Sequence, residues 1–398
     1  MAEDLGLAHK VWCHSRTKGS VTDDKSNPKA GSMNTKTVKI LLVCDTPDWA
    51  LGTISLHLIE QLGRSLVFEM LYSQSPGFLR SFLVQQKCAD VVCFLSSRAF
   101  YAWGNITTRP CLYVLHHAEG AWDLVLDRSR HADLIAVPSE QWMKLAAQHP
   151  SLATKLRRIW YSLDTARYIP CARATQPWRT SQKLPSDTLV IGYAGIPAAR
   201  KGLDLFWQAI RAVAPSLKNR LYVRVAGRAW TPAHVPADLA DTVHLESFLP
   251  AEAMPEFFSS LDVYLCTSTV EGGPYPIMEA MSSGCVVFST PVGIVPEMIA
   301  HGENGFILDR ASFPEDFRKI MTPLSDLPAV REQIGRAARA TCLQICDIQP
   351  AITASNWPAL FTEAVIRFRK RSVWQKLRKH WACLRTVPPK ETVSLVSL

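Results

Sequence analysis

Apolar runs alternate with amphipathic segments along most of the chain. In the first half we interpret six apolar runs as strands, and most of them are separated by segments with helical spacing, such as TISLHLIEQL (53–62). The runs are VKILLVCD (38–45), LVFEMLY (66–72), DVVCFL (90–95), CLYVLHH (111–117), DLIAVPS (133–139) and RRIWYS (157–162). Their near-continuous apolar character is typical of parallel strands covered on both faces. The pattern predicts a parallel sheet with crossover helices.

The alternation is interrupted and then begins again. Residues 171–187 are rich in proline and polar residues, and we interpret them as a linker. Beyond it, the strand candidates are LVIGYAG (189–195), LYVRVAG (221–227), VHLESFL (243–249), DVYLCTS (262–268), CVVFST (285–290) and NGFILD (304–309). We therefore predict an α/β fold with two doubly wound, Rossmann-like domains, residues 37–170 and 188–350, which face an interdomain cleft.

Composition is that of an ordinary globular protein, with 47% hydrophobic and 20% charged residues among 398. No apolar run approaches the length of about 18 residues needed to cross a bilayer. Residues 1–36 have no secretory h-region, and we expect them to form a disordered tail. The 11 cysteines include no C-x-x-C pair, which argues against zinc and favours a reducing compartment. We therefore expect a cytoplasmic protein.

Positive charge is concentrated near the C-terminus. The net charge is +9, and residues 367–385 contain eight basic and no acidic residues, so the remainder carries only +1. Within the predicted basic tail (371–398), apolar residues recur at helical spacing: Val373, Trp374, Leu377, Trp381 and Leu384. An amphipathic helix on an anionic membrane surface would have this pattern. A solvated helix face or a nonspecific nucleic-acid patch would also fit, although we expect no nucleic-acid partner because the rest is nearly neutral.

The segment STVEGGPYPIMEAMSSG (268–284) contains the most informative motif. It follows a predicted strand and leads into a helix, whose first turn we expect to include Glu279. Gly272 and Gly273 allow the backbone to approach a ligand, and a helix N-terminus attracts phosphate. A carboxylate at Glu279 can accept hydrogen bonds from ribose hydroxyls, and Glu271 can bind hydroxyls of a sugar. Taken singly, Glu279 could simply favour the helix dipole and Glu271 could be a solvated loop acid. The glycines and the predicted sheet favour a binding site instead.

Residues 271–308, EGGPYPIMEAMSSGCVVFSTPVGIVPEMIAHGENGFIL, closely resemble the E-x7-E signature of retaining nucleotide-sugar glycosyltransferases of the family-4 type. The resemblance implies the GT-B fold, contact of Glu271 with the donor sugar and of Glu279 with the ribose. It also implies that amides near Gly272 and Gly273 bind the distal phosphate. It covers roughly residues 38–350 and is specific mainly in the second half. By the same resemblance, a helix within 351–370 crosses back to the first domain, which faces the acceptor.

Cations must stabilise the departing diphosphate if no metal does. The chain has no Asp-x-Asp motif, so we expect neither a metal site nor a cofactor. YAGIPAARKGLDLF (193–206) carries Arg200 and Lys201 in a predicted loop. Lys201 matches the family pattern, whereas Ile196 occupies the position of the usual arginine. Arg200 could replace that arginine or be a solvated loop cation.

The remaining candidates also rest on the resemblance. Gly52 matches one glycine of a turn that faces the donor phosphates, and either His116 or His117 would lie beside the transferred sugar. Ser247 and Phe248 would border the base through backbone atoms. Each could equally be structural.

The resemblance implies that the protein transfers a sugar from a nucleotide sugar to a hydroxyl of a glycan or lipid-linked acceptor. By the same family analogy we expect a role in cell-envelope polysaccharide or glycolipid synthesis, and from the basic tail we expect association with the inner face of the membrane. The alternatives are a nucleotide-sugar epimerase, a phosphorylase or an inactive nucleotide-binding scaffold. The base, sugar, acceptor, linkage and oligomeric state are left open.

Overall fold

The computed structural model describes residues 37–377, except positions 48, 119, 247 and 375. The predicted tail 1–36, residues 378–398 of the predicted basic tail and the candidate Ser247 lie outside the described residues. The nine cysteines in the described part of the chain are all free. None of its helices is both long and apolar enough to cross a membrane.

Two six-stranded parallel sheets form the framework. The first has the order β2-β1-β3-β4-β5-β6, with β1 (Lys39–Cys44), β2 (Val67–Tyr72), β3 (Val91–Phe94), β4 (Cys111–Val114), β5 (Leu134–Val137) and β6 (Leu156–Arg158). The second has the order β12-β11-β10-β7-β8-β9, with β7 (Leu189–Ala194), β8 (Leu221–Ala226), β9 (Val243–Glu246), β10 (Val263–Cys266), β11 (Val286–Ser289) and β12 (Phe306–Ile307). The predicted pair of doubly wound sheets is confirmed, and each sheet has one point where the strand order reverses.

Helices connect the strands. Those of the first half are α1 (Ala50–Leu62), α2 (Phe78–Gln85), α3 (Ser97–Trp103), α4 (Trp122–Ser129), α5 (Glu140–Ala147) and α6 (Pro150–Ala153). Those of the second half are α7 (Pro177–Ser181), α8 (Leu203–Leu217), α9 (Met254–Ser259), α10 (Tyr275–Ser282), α11 (Val295–Met298), α12 (Phe313–Ser325), α13 (Pro328–Ile345), α14 (Ile348–Ser355) and α15 (Trp357–Arg369). Strands β3, β4, β5, β10 and β11 are buried throughout, which explains their continuous apolar character.

The last helix, α15, packs on the first sheet. Helix α15 contacts β3, β4 and β5, and its buried residues Trp357, Leu360, Phe361 and Ala364 follow helical spacing along one face. Outside that apolar face, Glu363 forms ion pairs with Arg157 and Arg367. Helix α15 is therefore packed as part of the first domain.

Two predicted elements differ from those observed. The predicted strand 157–162 is reduced to β6, because the next backbone N–H groups do not continue the ladder. The backbone N–H of Trp160 donates to Ser355 Oγ at 2.8 Å, and that of Leu163 donates to Cys346 O at 2.7 Å. The predicted linker 171–187 contains α7, whose Trp178 and Arg179 are buried. Pro177 occupies the first position of this short helix, and the buried Arg179 forms an ion pair with Asp262.

Candidate active site

Strands β7 and β10 adjoin where the order of the second sheet reverses. In doubly wound sheets, ligands bind beyond the carboxyl ends of the strands at this point. The loop after β7 carries Arg200 and Lys201, and the loop after β10 bonds to it: Thr269 N donates to Arg200 O at 2.7 Å, and Thr267 Oγ1 donates to Gly202 O at 2.9 Å. Gly202 has φ +65°, and a Cβ there would lie 1.9 Å from Thr267 O, so only glycine fits.

Glu271 is a buried carboxylate surrounded by donors. Its Oε1 lies 2.6 Å from Lys201 Nζ, 3.2 Å from an Arg200 guanidinium nitrogen and 3.0 Å from Ser268 Oγ. Burial acts to raise the pKa of Glu271, but attraction to Lys201 and Arg200 and the hydrogen bonds outweigh burial and lower that pKa. The structure thus joins one ionised acid to two cations.

The glycines after Glu271 lie against the first domain. A Cβ at Gly272 would come 2.2 Å from His116 O, and one at Gly273 would come 2.8 Å from the Tyr161 ring. Any larger side chain would push this loop away from the first domain. The two candidate glycines therefore permit a close approach of backbone to backbone as well as to a ligand.

The two histidines have different surroundings. The ring of His116 is buried between Leu95 O, to which Nε2 donates, and the Tyr161 hydroxyl at Nδ1. Burial lowers the pKa of His116. Burial and the positive charge of Arg200 lower the pKa of His117 to about 4, with Glu271 acting in the opposite direction. Both rings are therefore neutral near pH 7, and that of His117 lies in the field of the Glu271 cluster.

A cavity of about 310 Å³ opens beside this cluster. Residues of both halves line it, and four of them are sequence candidates: Arg200, Lys201, Phe248 and Glu279. Among the described residues, the other candidates adjoin the cluster or the cavity without lining it; they are Glu271, Gly272, Gly273, His116, His117 and Gly52. The cavity thus runs from the cations to Glu279.

Gly52 is displaced from its predicted position on a turn. It is the third residue of α1, and a Cβ there would lie 2.4 Å from Pro47 O. Its neighbours Ala50 and Thr53 line the cavity instead. Gly52 lets the loop after β1 pack closely on its own helix.

Glu279 is buried and lines the cavity. It lies in the second turn of α10, not in the first as predicted, because the helix already begins at Tyr275. The Tyr168 hydroxyl donates to Glu279 Oε1 at 2.5 Å. Burial raises the pKa of Glu279 to about 7, although the Tyr168 hydrogen bond and the charge of Arg167 lower it in part.

Sequence reasoning missed several contacts of the site. Arg228 lies between two aromatic rings, 5.3 Å from the Trp49 centroid of the first half and 4.7 Å from that of Phe248. Tyr168 and Ser268 bond to the two glutamates. Tyr168 and Glu279 are too far apart in the chain for a spacing rule to connect them, and the same holds for Trp49 and Arg228. Only Ser268, three positions before Glu271, gave a local signal.

Fixed cations dominate the charge of this site. Within the described ranges, no group of three or more His, Cys, Asp or Glu residues is arranged to hold a metal ion. Lys201 and Arg200 instead supply positive charge at the switch point. Such an arrangement can bind a diphosphate between the two strand exits.

Two solved structures have a fold similar to that of this chain. Anabaena Alr3699/HepE in complex with UDP and glucose has a TM-score of 0.67 at 18% identity, covering 81% of this chain and 98% of that one. Sucrose-phosphate synthase from Thermosynechococcus elongatus has a TM-score of 0.64 at 13% identity, covering 84% and 98%. These likenesses and the two parallel sheets identify the fold as GT-B.

Relatives identified by sequence align with a smaller share of this chain than the solved structures do. The D-inositol 3-phosphate glycosyltransferase of Thermobifida fusca (strain YX) is 25% identical over 217 residues, 51% of this chain and 49% of the relative. Sulfoquinovosyl transferase SQD2 of Arabidopsis thaliana is 27% identical over 55% of this chain and 42% of its own length. The chain thus spans about half the length of these curated relatives. Residues 175–341, which carry Lys201, Glu271 and Glu279, match the family model of the Glycosyl transferases group 1.

Proposed function

We propose that this protein is a glycosyltransferase that moves a sugar from a nucleoside-diphosphate sugar to a hydroxyl acceptor, with retention at the anomeric carbon. The observation that carries the proposal is the cluster of Glu271, Lys201 and Arg200 at the switch point of the second sheet, beside a cavity that Glu279 also lines. One crevice thereby offers separate groups for sugar, diphosphate and ribose.

The nucleotide would occupy the cavity. Glu279 accepts hydrogen bonds from the ribose hydroxyls, and Tyr168 fixes the carboxylate in position. The base would lie toward Phe248 and Arg228, which also line the cavity. These roles assign Glu279 to the ribose, and Phe248 and Arg228 to the base.

The diphosphate would lie at the cations. Lys201 and Arg200 form ion pairs with Glu271. With donor bound they would also face the oxygens of the departing diphosphate, where charge increases in the transition state. The departing oxygen would take the acceptor's proton. Because fixed cations supply this stabilisation, we propose a metal-independent reaction, and transfer should persist in EDTA.

The comparisons support this proposal. The relatives named above are transferases of sugars or sugar derivatives, and the HepE structures contain UDP, glucose or UDP-glucose. A UDP-sugar is therefore the first donor to test. The second half, in which the family resemblance is specific, contains every residue assigned here to the diphosphate.

A membrane surface is the proposed setting of the acceptor. In the described part of the C-terminal segment, Val373, Trp374 and Leu377 are 70%, 77% and 41% exposed. Exposed apolar side chains beside Arg369 and Lys370 suit the interface of an anionic membrane. A lipid-linked acceptor would be presented there.

A donor panel tests the proposed function. UDP, GDP, ADP and their sugars are first compared by thermal shift, and the best donor is then incubated with and without candidate acceptors while nucleotide release and product stereochemistry are measured. Transfer with retention supports the proposal. Donor conversion without an acceptor indicates an epimerase, and dependence on free phosphate a phosphorylase. Nucleotide binding without any turnover indicates a scaffold.

A further inference from the structure

The N-terminal turn of helix α5, in the first domain, is bonded to the second domain at three consecutive residues. Glu140 N donates to Glu297 Oε1 at 2.8 Å, Gln141 Oε1 accepts from Gly293 N at 2.6 Å, and Trp142 Nε1 donates to Glu271 O at 2.7 Å. This turn therefore contacts the loop that contains Glu271 and the loop that packs against it.

Trp142 makes the contact nearest to the proposed chemistry. Its side chain is 7% exposed. Ser139 Oγ accepts a hydrogen bond from the backbone N–H of Trp142, which caps α5 and holds the backbone from which the ring extends. The ring lies 6.3 Å from that of His117 and 6.0 Å from that of Trp122. A buried aromatic ring with few rotamers can hold its N–H in one place.

Glu271 is consequently held from both domains. Its carboxylate is bonded by Lys201, Arg200 and Ser268 of the second domain, and its carbonyl by Trp142 of the first. The loop behind it is also fixed, because Gly293 (φ +54°) packs so closely that a Cβ would lie 2.6 Å from Glu271 O.

We propose that Trp142 is a positioning residue for sugar transfer: its indole N–H anchors the main chain of Glu271 to the first domain and so sets the place of the 271–273 loop. This inference rests on the proposed function. It extends that function by giving the first domain a direct part in arranging the donor-side acid. A small displacement of such a group lowers the rate of reaction more than it lowers substrate binding.

The test compares Trp142→Phe with Trp122→Phe in the full chain. Phenylalanine keeps an aromatic ring against His117 but removes the N–H, leaving Glu271 O without its indole donor. We expect turnover of the donor to fall by about 10- to 100-fold in Trp142→Phe. The dissociation constant for UDP should change much less than turnover, because Glu271 is assigned to the sugar, which UDP lacks. Trp122→Phe should resemble the unmodified protein in both measurements.

Amide hydrogen exchange gives a readout that does not need activity. Peptides covering 268–283 should exchange faster in Trp142→Phe, while those covering β8 and β9 should not change. If the unmodified protein turns over no donor, the proposed function fails, and exchange alone then decides whether Trp142 positions the loop. If Trp142→Phe does not fold, the more exposed Gln141→Ala replaces it, with loss of turnover at unchanged UDP affinity expected.

Two results overturn the inference. One is unchanged exchange of the 268–283 peptides in a folded Trp142→Phe protein. The other is equal loss of UDP affinity and turnover, which would mean that Trp142 supports the whole cleft and does not act on Glu271 specifically. For Gln141→Ala, unchanged turnover and unchanged exchange together have the same meaning.

Discussion

Lys201 Nζ lies 2.6 Å from Glu271 Oε1, although the two residues are 70 positions apart in the chain. They meet because β7 and β10 are adjacent in the sheet and both loops leave at the carboxyl ends of these strands.

We expect Lys201→Ala to reduce donor turnover by about 10²–10³-fold, since one preorganised donor to the departing diphosphate is lost. Steady-state nucleotide release measures the effect. Lys319→Ala is the matched control, because Lys319 pairs with Glu315 and Asp316 on the exposed surface of α12. Turnover within about twofold of the unmodified protein in Lys201→Ala would remove this lysine from the mechanism.

The Glu271→Gln variant should distinguish an active glycosyltransferase from an inactive nucleotide-binding scaffold. The amide keeps the size of the side chain but loses the charge that offsets Lys201 and Arg200. We expect turnover to fall by at least about 10³-fold while UDP still binds, as measured by calorimetry beside the activity assay. Glu246→Gln, which removes a charge paired to Arg224 elsewhere in the second domain, controls for general loss of charge. Full activity in Glu271→Gln contradicts the assigned role.

The raised pKa of Glu279 predicts a pH-dependent stability. In the folded protein this carboxyl keeps its proton up to about pH 7, whereas in the unfolded chain it loses it near pH 4.5. Between these values the unfolded state binds fewer protons, so the contribution of Glu279 to the free energy of unfolding falls as pH rises. Denaturant unfolding between pH 4.5 and pH 8 should show this fall in the unmodified protein relative to Glu279→Gln. A difference that does not vary with pH would show that Glu279 is not buried as described.

Tyr168→Phe should raise the pKa of Glu279 further. The tyrosine hydroxyl donates to the carboxylate at 2.5 Å and favours its charged form, so its loss favours the proton. Carbon-13 NMR of glutamate carboxyl groups measures the titration, with Glu279→Gln used to assign the signal. Tyr222→Phe, in strand β8, is a control of the same chemistry. An unshifted titration in Tyr168→Phe would mean that this hydrogen bond is not made in solution.

Membrane association should depend on the C-terminal segment. Truncation after residue 372 removes Trp374 and Leu377 but keeps Arg371, whose Nε donates to the buried Asp133 at 2.5 Å. We expect the truncated protein to pellet less with anionic liposomes than the full chain, at about 1 kcal/mol for each basic residue lost. Neutral liposomes are the control. Equal pelleting of both proteins would eliminate the membrane contact.

The sequence by itself determined the type of fold. Continuous apolar runs separated by amphipathic segments are sufficient to predict two parallel sheets, because strands covered on both faces need apolar side chains at every position. It also indicated Glu271, Glu279 and Lys201, since the glycine-rich loops after strands are local features of the chain. The roles of those residues stay predictions.

Only the tertiary structure decided which groups meet. Strand order brought Lys201 to Glu271, and packing of the two domains brought Trp142 to the main chain of the same glutamate and Tyr168 to Glu279. Both carboxyls are buried, and their neighbours decided that Glu271 is ionised whereas Glu279 keeps a proton up to about pH 7. Two glutamates eight positions apart are chemically identical in the sequence, and they differ because one is surrounded by cations and the other by a tyrosine and apolar side chains.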